Sequence, residues 1–223
     1  MDRRNFISKS LAAGAAVTLA SGATKADRSG GVKIVGVSCS PRKGKTTATA
    51  VKAALDAAQK VNSRIKTELI DLGGMEISAS SAGGLEKDDF QAILSKLKDP
   101  VPDGLIIGSP SYFRSMSALC KVFLERIAVL RKPELMLADV PAGVLAVGGY
   151  RNGGQELVIE QIQCVLLCHE MMIVGGKPKA HQGATLWNAY NDDITKDEFG
   201  MATAVQLGIR VAEAAMDMAA AKS

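Results

Sequence analysis

Aromatic side chains are scarce in this 223-residue chain, with five Phe, three Tyr and one Trp making up 4% of the residues. A core must therefore be built from aliphatic residues, and at 47% hydrophobic the chain has enough of them for one globular domain. Histidine is scarcer still, His169 and His181 being the pair, and the four cysteines (Cys39, Cys120, Cys164 and Cys168) form no C-x-x-C motif. These shortages exclude the recognised zinc and iron-sulfur spacings and a disulfide framework, so no metal site is expected. Cys164 and Cys168 lie four apart on an apolar helical stretch and read as small hydrophobes facing the core. The glycines and prolines follow no period, no repeat of roughly 20–50 residues is present, and the apolar run near the N-terminus is short for a membrane span. Collagen, solenoid and polytopic membrane architectures are excluded.

That N-terminal run has a character of its own. Arg3-Arg4-Asn5-Phe6-Ile7-Ser8-Lys9 precedes a mildly apolar stretch from Leu11 to Ala20, followed by small residues up to Ala26. It resembles a twin-arginine export signal, so residues 1–26 are expected to be an address to the periplasm and residues 27–223 the folded domain. Cleavage could follow Ala23 or Ala26, and an uncleaved signal would be the one contact with a membrane. Removing the segment takes away Arg3, Arg4, Lys9 and Lys25 but only Asp2, which leaves 23 basic against 22 acidic residues and a net charge of +1 instead of +4. No basic run interleaved with aromatics remains, so no nucleic-acid partner is expected.

Beyond the signal, short aliphatic runs alternate with longer amphipathic ones. Residues 32–37, 66–71, 104–108, 142–147 and 171–174 read as five buried parallel strands. Residues 46–62, 87–98, 115–130, 155–168 and 197–221 carry apolar positions at helical spacing. The alternation predicts a doubly wound α/β domain with helices on both faces of the sheet, whose ligands bind beyond the carboxyl ends of the strands.

Three loops at that end are unusual. The first, Ser38-Cys39-Ser40-Pro41-Arg42-Lys43-Gly44-Lys45-Thr46-Thr47, runs from a strand into a helix and offers hydroxyls, cations and helix N-terminal amides to a phosphate. It stands one residue from a nucleoside-triphosphate loop, whose first glycine would fall at Cys39, and no strand ending in a metal-binding Asp accompanies it. The second, Pro110-Ser111-Tyr112-Phe113-Arg114-Ser115, places two adjacent aromatics where a flat ring would pack. The third, Gly148-Gly149-Tyr150-Arg151-Asn152-Gly153-Gly154, lets backbone amides approach a ligand closely. The loop from Gly73 to Gly84 carries no titratable cluster and reads as a flexible connection or a subunit contact, and the late stretch from Gly175 to Asp193, with His181 and Trp187, reads as a loop that covers the ligand or a neighbouring subunit.

Taken in order, Ser40-Pro41-Arg42-Lys43 with Thr47, the run from Pro110 to Ser117, and Gly148-Gly149 to Gly153-Gly154-Gln155-Glu156 resemble the flavodoxin-like NAD(P)H-dependent FMN reductase and iron-sulfur flavoprotein family. The resemblance spans about residues 32–215, including Gly183-Ala184 and the helix around Gln206-Leu207-Gly208. It implies a flavodoxin-like five-stranded sheet and FMN as cofactor. The resemblance places Ser40, Arg42, Thr46 and Thr47, flanked by Ser38 and Lys45, at the phosphate, residues 110–115 beside the ring and ribityl chain, and residues 148–154, Tyr150 and Arg151 included, at the ring's polar edge. It also implies an oxidoreductase and a homo-oligomer. Two departures stand out: Lys45-Thr46 replaces a frequent Gly-Asn, and Gly73–Gly84 lacks the closely spaced cysteines of the iron-sulfur members, which argues against a cluster. No catalytic side chain is expected, because the flavin does the chemistry. An electron carrier without NAD(P)H activity, or an accessory subunit without redox function, are the rival expectations, and the donor and acceptor stay open.

Overall fold

The computed structural model describes residues 31–79 and 88–221. The expected signal, the start of the helix expected from Lys87, and the end of the Gly73–Gly84 loop lie outside the described residues. Within them run β1 (Val32–Ser38), α1 (Thr46–Gln59), β2 (Ile65–Asp71), α2 (Phe90–Lys98), β3 (Gly104–Tyr112), β4 (Ser115–Met116), α3 (Ala118–Arg126), a 3-10 turn (Ile127–Arg131), β5 (Pro141–Gly148), α4 (Gln155–Leu167), β6 (Met172–Ile173), β7 (Ala184–Trp187) and α5 (Glu198–Ala221).

The parallel sheet runs β2-β1-β3-β5, with β6 and β7 both paired to β5. This is the flavodoxin-like order, in which the chain reverses its winding between β1 and β3 and leaves a crevice between their carboxyl ends. The central strands are aliphatic throughout because both faces are covered. Val35, Val37, Leu105, Ile107, Val144 and Ala146 face α2, α3 and α4, while their neighbours Ile34, Ile106, Leu145 and Val147 face α1 and α5. Side chains alternate across a strand, so one β-run feeds both cores.

Three expectations are corrected. The fifth strand was expected at residues 171–174. Pairing there is limited to Met172–Ile173 against Pro141–Ala142, and Ala184–Trp187 completes the position against Leu145–Gly148. The intervening residues close on themselves, Gly176 N–H donating to His181 O at 2.8 Å and Gly183 N–H to Ala180 O at 2.7 Å, so the stretch expected to be a covering loop contains a strand. Second, Ser115 and Met116 do not begin a helix. They turn back antiparallel on Ser111 and Tyr112, and α3 starts only after Ser117, whose hydroxyl caps it by accepting from the Cys120 N–H at 3.0 Å. Third, Cys164 and Cys168 are exposed. The inner face of α4 is already filled by Val158, Ile159, Ile162 and Leu166, and Cys164 lies about two residues of helical rotation, roughly 200°, beyond Ile162.

α5 crosses α1 at Gly208, where a Cβ would run into the backbone of Ala54, its carbonyl oxygen first. Gly208→Ala gains up to about 1 kcal/mol of helix propensity but forces two backbones apart, an overpacking cost of about 1–3 kcal/mol. The clash wins, and urea unfolding should show a net loss of stability. His169 is buried, and its Nδ1 has no hydrogen-bond partner among the described residues. Burial, with the Arg131 charge adding to it, pushes its pKa below the ordinary histidine value. The unfolded chain therefore takes up this proton first, so the neutral imidazole's contribution is intact above about pH 6.5 and is lost as pH falls below it. His169→Leu should flatten the decline in Tm between about pH 7 and 5.5.

Candidate functional site

At the end of β1 the chain is held on three sides. Cys39 N–H donates to Gly108 O at 2.7 Å, Ser117 Oγ donates to Cys39 O at 2.6 Å, and the Asp71 carboxylate at the end of β2 accepts from Gly44 N–H at 2.7 Å and Gly73 N–H at 3.2 Å. Burial, reinforced by Cys120, pushes the Cys39 thiol well above its ordinary pKa. Cys39 is therefore an uncharged packing residue and not a nucleophile.

The turn then enters α1, whose N-terminus has no side-chain cap. The first N–H groups of a helix have no partner within it and carry its positive dipole end. Around them stand the hydroxyls of Thr46 and Thr47 and the cations Arg42 and Lys45. Ser40 accepts from Arg42 N–H at 3.2 Å and so shapes the turn. The donor set suits a phosphate monoester.

The second and third loops are stitched together. Phe113 and Arg114 take φ of 51° and 63°, the positive values that a two-residue hairpin turn demands at both central positions, and the turn holds Phe113 fully in solvent. Ser111 Oγ donates to Gly153 O at 2.6 Å, and Arg114 Nη1 to Asn152 O at 3.3 Å. Gly154, at φ 87°, lies so close to the Arg114 backbone that a Cβ would meet its Cα at 2.8 Å. Gln155, buried at the start of α4, donates through Nε2 to Tyr150 O at 2.6 Å and Leu186 O at 3.0 Å, which ties the third loop to β7.

Between these loops lies a cleft of about 580 Å³, within the range of small-molecule sites. Of the residues expected at a cofactor, Arg42, Thr46, Pro110, Ser111, Tyr112, Phe113, Arg114, Gly148, Gly149, Tyr150 and Gly153 line it. Ser38, Ser40, Lys45, Thr47, Ser115, Arg151 and Gly154 stand behind the wall or beside it. Ser38 is fully buried, with a hydroxyl that has no hydrogen-bond partner among the described residues, Ser115 Oγ donates to Gln161 at 2.9 Å, and the Arg151 guanidinium lies 5.1 Å from the centre of the Trp187 ring.

The fourth wall, formed by Asn188, Tyr190, Asn191 and Asp192, falls within the late stretch that reads from the sequence as a covering loop, although none of these four residues is singled out there. It is delivered by β7, and its one sequence signal was the alternation of Ala184-Thr185-Leu186-Trp187, buried at every second residue. Asp197 anchors it from below, accepting from Trp187 N–H at 2.9 Å and Gly200 N–H at 3.0 Å. Asp192 Oδ1 lies 2.6 Å from Arg42 Nη1, and its Oδ2 lies 2.9 Å from Lys45 Nζ. Lys45 and Arg42 hold its carboxyl below the ordinary aspartate range, so it is charged at neutral pH.

A long ligand with an anionic end and a flat ring suits a cleft that is cationic at one end and lined by glycine and tyrosine at the other. The class so defined is the FMN-dependent flavoprotein oxidoreductases. The chain belongs to the NADPH-dependent FMN reductase family, whose model matches residues 32–185. It is 38% identical to an iron-sulfur flavoprotein of Methanocaldococcus jannaschii over 82% of this chain and 96% of that one. With an iron-sulfur flavoprotein of Methanosarcina thermophila it shares 31% identity over 73% of this chain and 86% of the other. In fold it is similar to RosB, solved with bound 8-demethyl-8-formylriboflavin-5'-phosphate, at a TM-score of 0.69 and 14% identity over 86% of this chain and 82% of that one.

Arg42→Ala tests the phosphate end. Loss of one charge-assisted contact should weaken FMN by about 1.5–3 kcal/mol and leave riboflavin, which has no phosphate, nearly unaffected. Fluorescence titration of both flavins reads the difference, and equal losses would remove the phosphate from this loop.

Proposed function

We propose that this oxidoreductase works in the periplasm and passes hydride or electrons to a small, flat acceptor at the mouth of the cleft. Its FMN phosphate lies on the turn from Ser38 to Thr47, and the ring lies between the Tyr112-Phe113 and Gly148–Gly154 loops. One observation carries the choice of acceptor. Tyr112, Tyr150 and Tyr190, 42%, 64% and 72% exposed, are all the tyrosines of the chain and all rim one cleft. Exposed rings are costly to leave in water without a use, and aromatic partners stack on them.

When bound, FMN supplies the hydride and single-electron chemistry. The protein's own part is positional. Arg42, Lys45 and the first turn of α1 hold an anion, Gly148 and Gly149 bring backbone to the ring's polar edge, and Gln155 fixes that loop against β7. The acids and bases among the described cleft residues are arginines, tyrosines and Asp192, so no dedicated acid-base pair is assigned.

The periplasmic location rests on Arg3-Arg4 and the weakly apolar run that follows. Nicotinamide dinucleotides are cytoplasmic reductants, so in this reading the donor is a quinol, a cytochrome or another partner. An iron-sulfur cluster is not part of the proposal, since Gly73–Gly84 holds no cysteine. Assembly as a homo-oligomer is proposed from the family resemblance and from Phe113, which stands wholly in solvent at the rim of the cleft.

The protein purified from its host should show flavin absorption bands without stoichiometric iron. Anaerobic NADH or NADPH should bleach the bands far more slowly than a quinol does; rapid bleaching by NAD(P)H would overturn the donor assignment. Cell fractionation should find the protein outside the cytoplasm and the variant with Arg3→Lys and Arg4→Lys inside it. Equal distribution of the two forms would overturn the location.

A further inference from the structure

The segment from Asn188 to Asp192 lies across the phosphate end of the cleft as a strap. Asn188 N–H donates to Gly148 O at 3.0 Å as the chain leaves β7. Its side-chain Nδ2 reaches Thr46 Oγ1 at 3.4 Å, and four residues later the two oxygens of Asp192 take Arg42 and Lys45 separately, at 2.6 and 2.9 Å. The strap thus touches three side chains of the turn assigned to the FMN phosphate. One carboxylate satisfies both cations.

The backbone of the strap is not at rest by itself. Asn191 N–H donates to Asn188 O at 2.8 Å, closing a turn in which Ala189 and Tyr190 have φ of 50° and 60°. Glycine and asparagine take such positions without strain, whereas alanine and tyrosine do not. Within the turn Asn188 Oδ1 accepts from the Tyr190 N–H at 3.0 Å, and the rest of the support comes from outside it. The Tyr190 ring lies so close over Gly149 that a Cβ there would meet it at 2.8 Å. It also meets the Tyr150 ring edge-on, with centroids 4.8 Å apart and planes at 78°. At the far end stand the two Asp192 ion pairs.

A carboxylate and a phosphate make the same demand on a guanidinium and an ammonium. We propose that Asp192 is a built-in counter-anion that the FMN phosphate must displace from Arg42 and Lys45, so that the strap Asn188–Asp192 lifts on loading and Asp192 sets how strongly the protein prefers FMN to a flavin without phosphate. The proposal rests on the phosphate assignment above. Because Tyr190 belongs to the same short turn, exchange of one anion for another at the cations also shifts the aromatic wall over Gly149.

Asp192→Asn tests it, since the amide keeps the shape, loses the charge, and stands on an exposed side chain whose loss leaves the core untouched. FMN and riboflavin are titrated into the full chain after its flavin has been removed by dialysis, for wild type, Asp192→Asn and Arg42→Ala. The expected result is an FMN Kd about tenfold tighter in Asp192→Asn, with riboflavin unchanged within about twofold. In a second reading, millimolar inorganic phosphate should raise the Tm of Asp192→Asn more than that of the wild type. An FMN Kd that is unchanged or weaker in Asp192→Asn overturns the proposal, because Asp192 would then brace the two cations from behind with the phosphate in place. If Arg42→Ala weakens FMN selectively while Asp192→Asn brings no gain, the strap reading alone fails. If Arg42→Ala weakens both flavins equally, the phosphate assignment fails and the strap reading falls with it.

Discussion

The ligand side of this molecule depends on the few residues between the end of β1 and the first turn of α1. A parallel strand delivers its chain end to the edge of the sheet, and a helix beginning there turns its unpaired amides and positive dipole end toward whatever lies in the crevice. Such a turn is useful only if it cannot collapse onto those amides. Here it is pinned by neighbours on both sides: Gly108 on β3, Asp71 on β2 and Ser117 at the head of α3 each take one hydrogen bond from it or give one to it. The anion site is thus a property of three adjacent strands.

The second constraint is the division of the fifth strand position. Had β6 run its full expected course, β5 would have been covered along its length by one strand and the chain would have entered α5 from it. The pairing passes instead to β7 after a self-closed excursion from Val174 to Gly183. That change of strand carries the chain back toward the carboxyl end of the sheet, with Asn188 entering the cleft and Asp197 fastening both β7 and the start of α5. The fourth wall, with its aspartate on the two cations, exists because of it.

Much of the fold was legible because its signals are local. Five aliphatic runs separated by amphipathic stretches announce a two-faced parallel sheet, and four of the five strands lie within a few residues of where the pattern puts them. The legible part of the site was likewise the part that is continuous in sequence: Arg42 and Thr46 on the first loop, Tyr112 and Phe113 on the second, Gly148 and Gly149 on the third. Where local reading failed, a longer-range contact decided. Ser115 and Met116 suit a helix, yet they fold back on Ser111 and Tyr112. Cys164 and Cys168 sit on an apolar helix, yet larger side chains already fill its inner face.

By itself, then, the sequence determined the alternation of strand and helix, the chemistry of three loops and the family, since hydrophobic period, turn residues and motif order act over short stretches of chain. The tertiary structure decided which of those residues share a wall and which stand behind it, the completion of the sheet by β7, and the pairing of Asp192 with Arg42 and Lys45. An aspartate 150 residues from its arginine leaves no periodic trace in the chain. Only the sheet, by bringing the ends of β1 and β7 to the same edge, makes them neighbours.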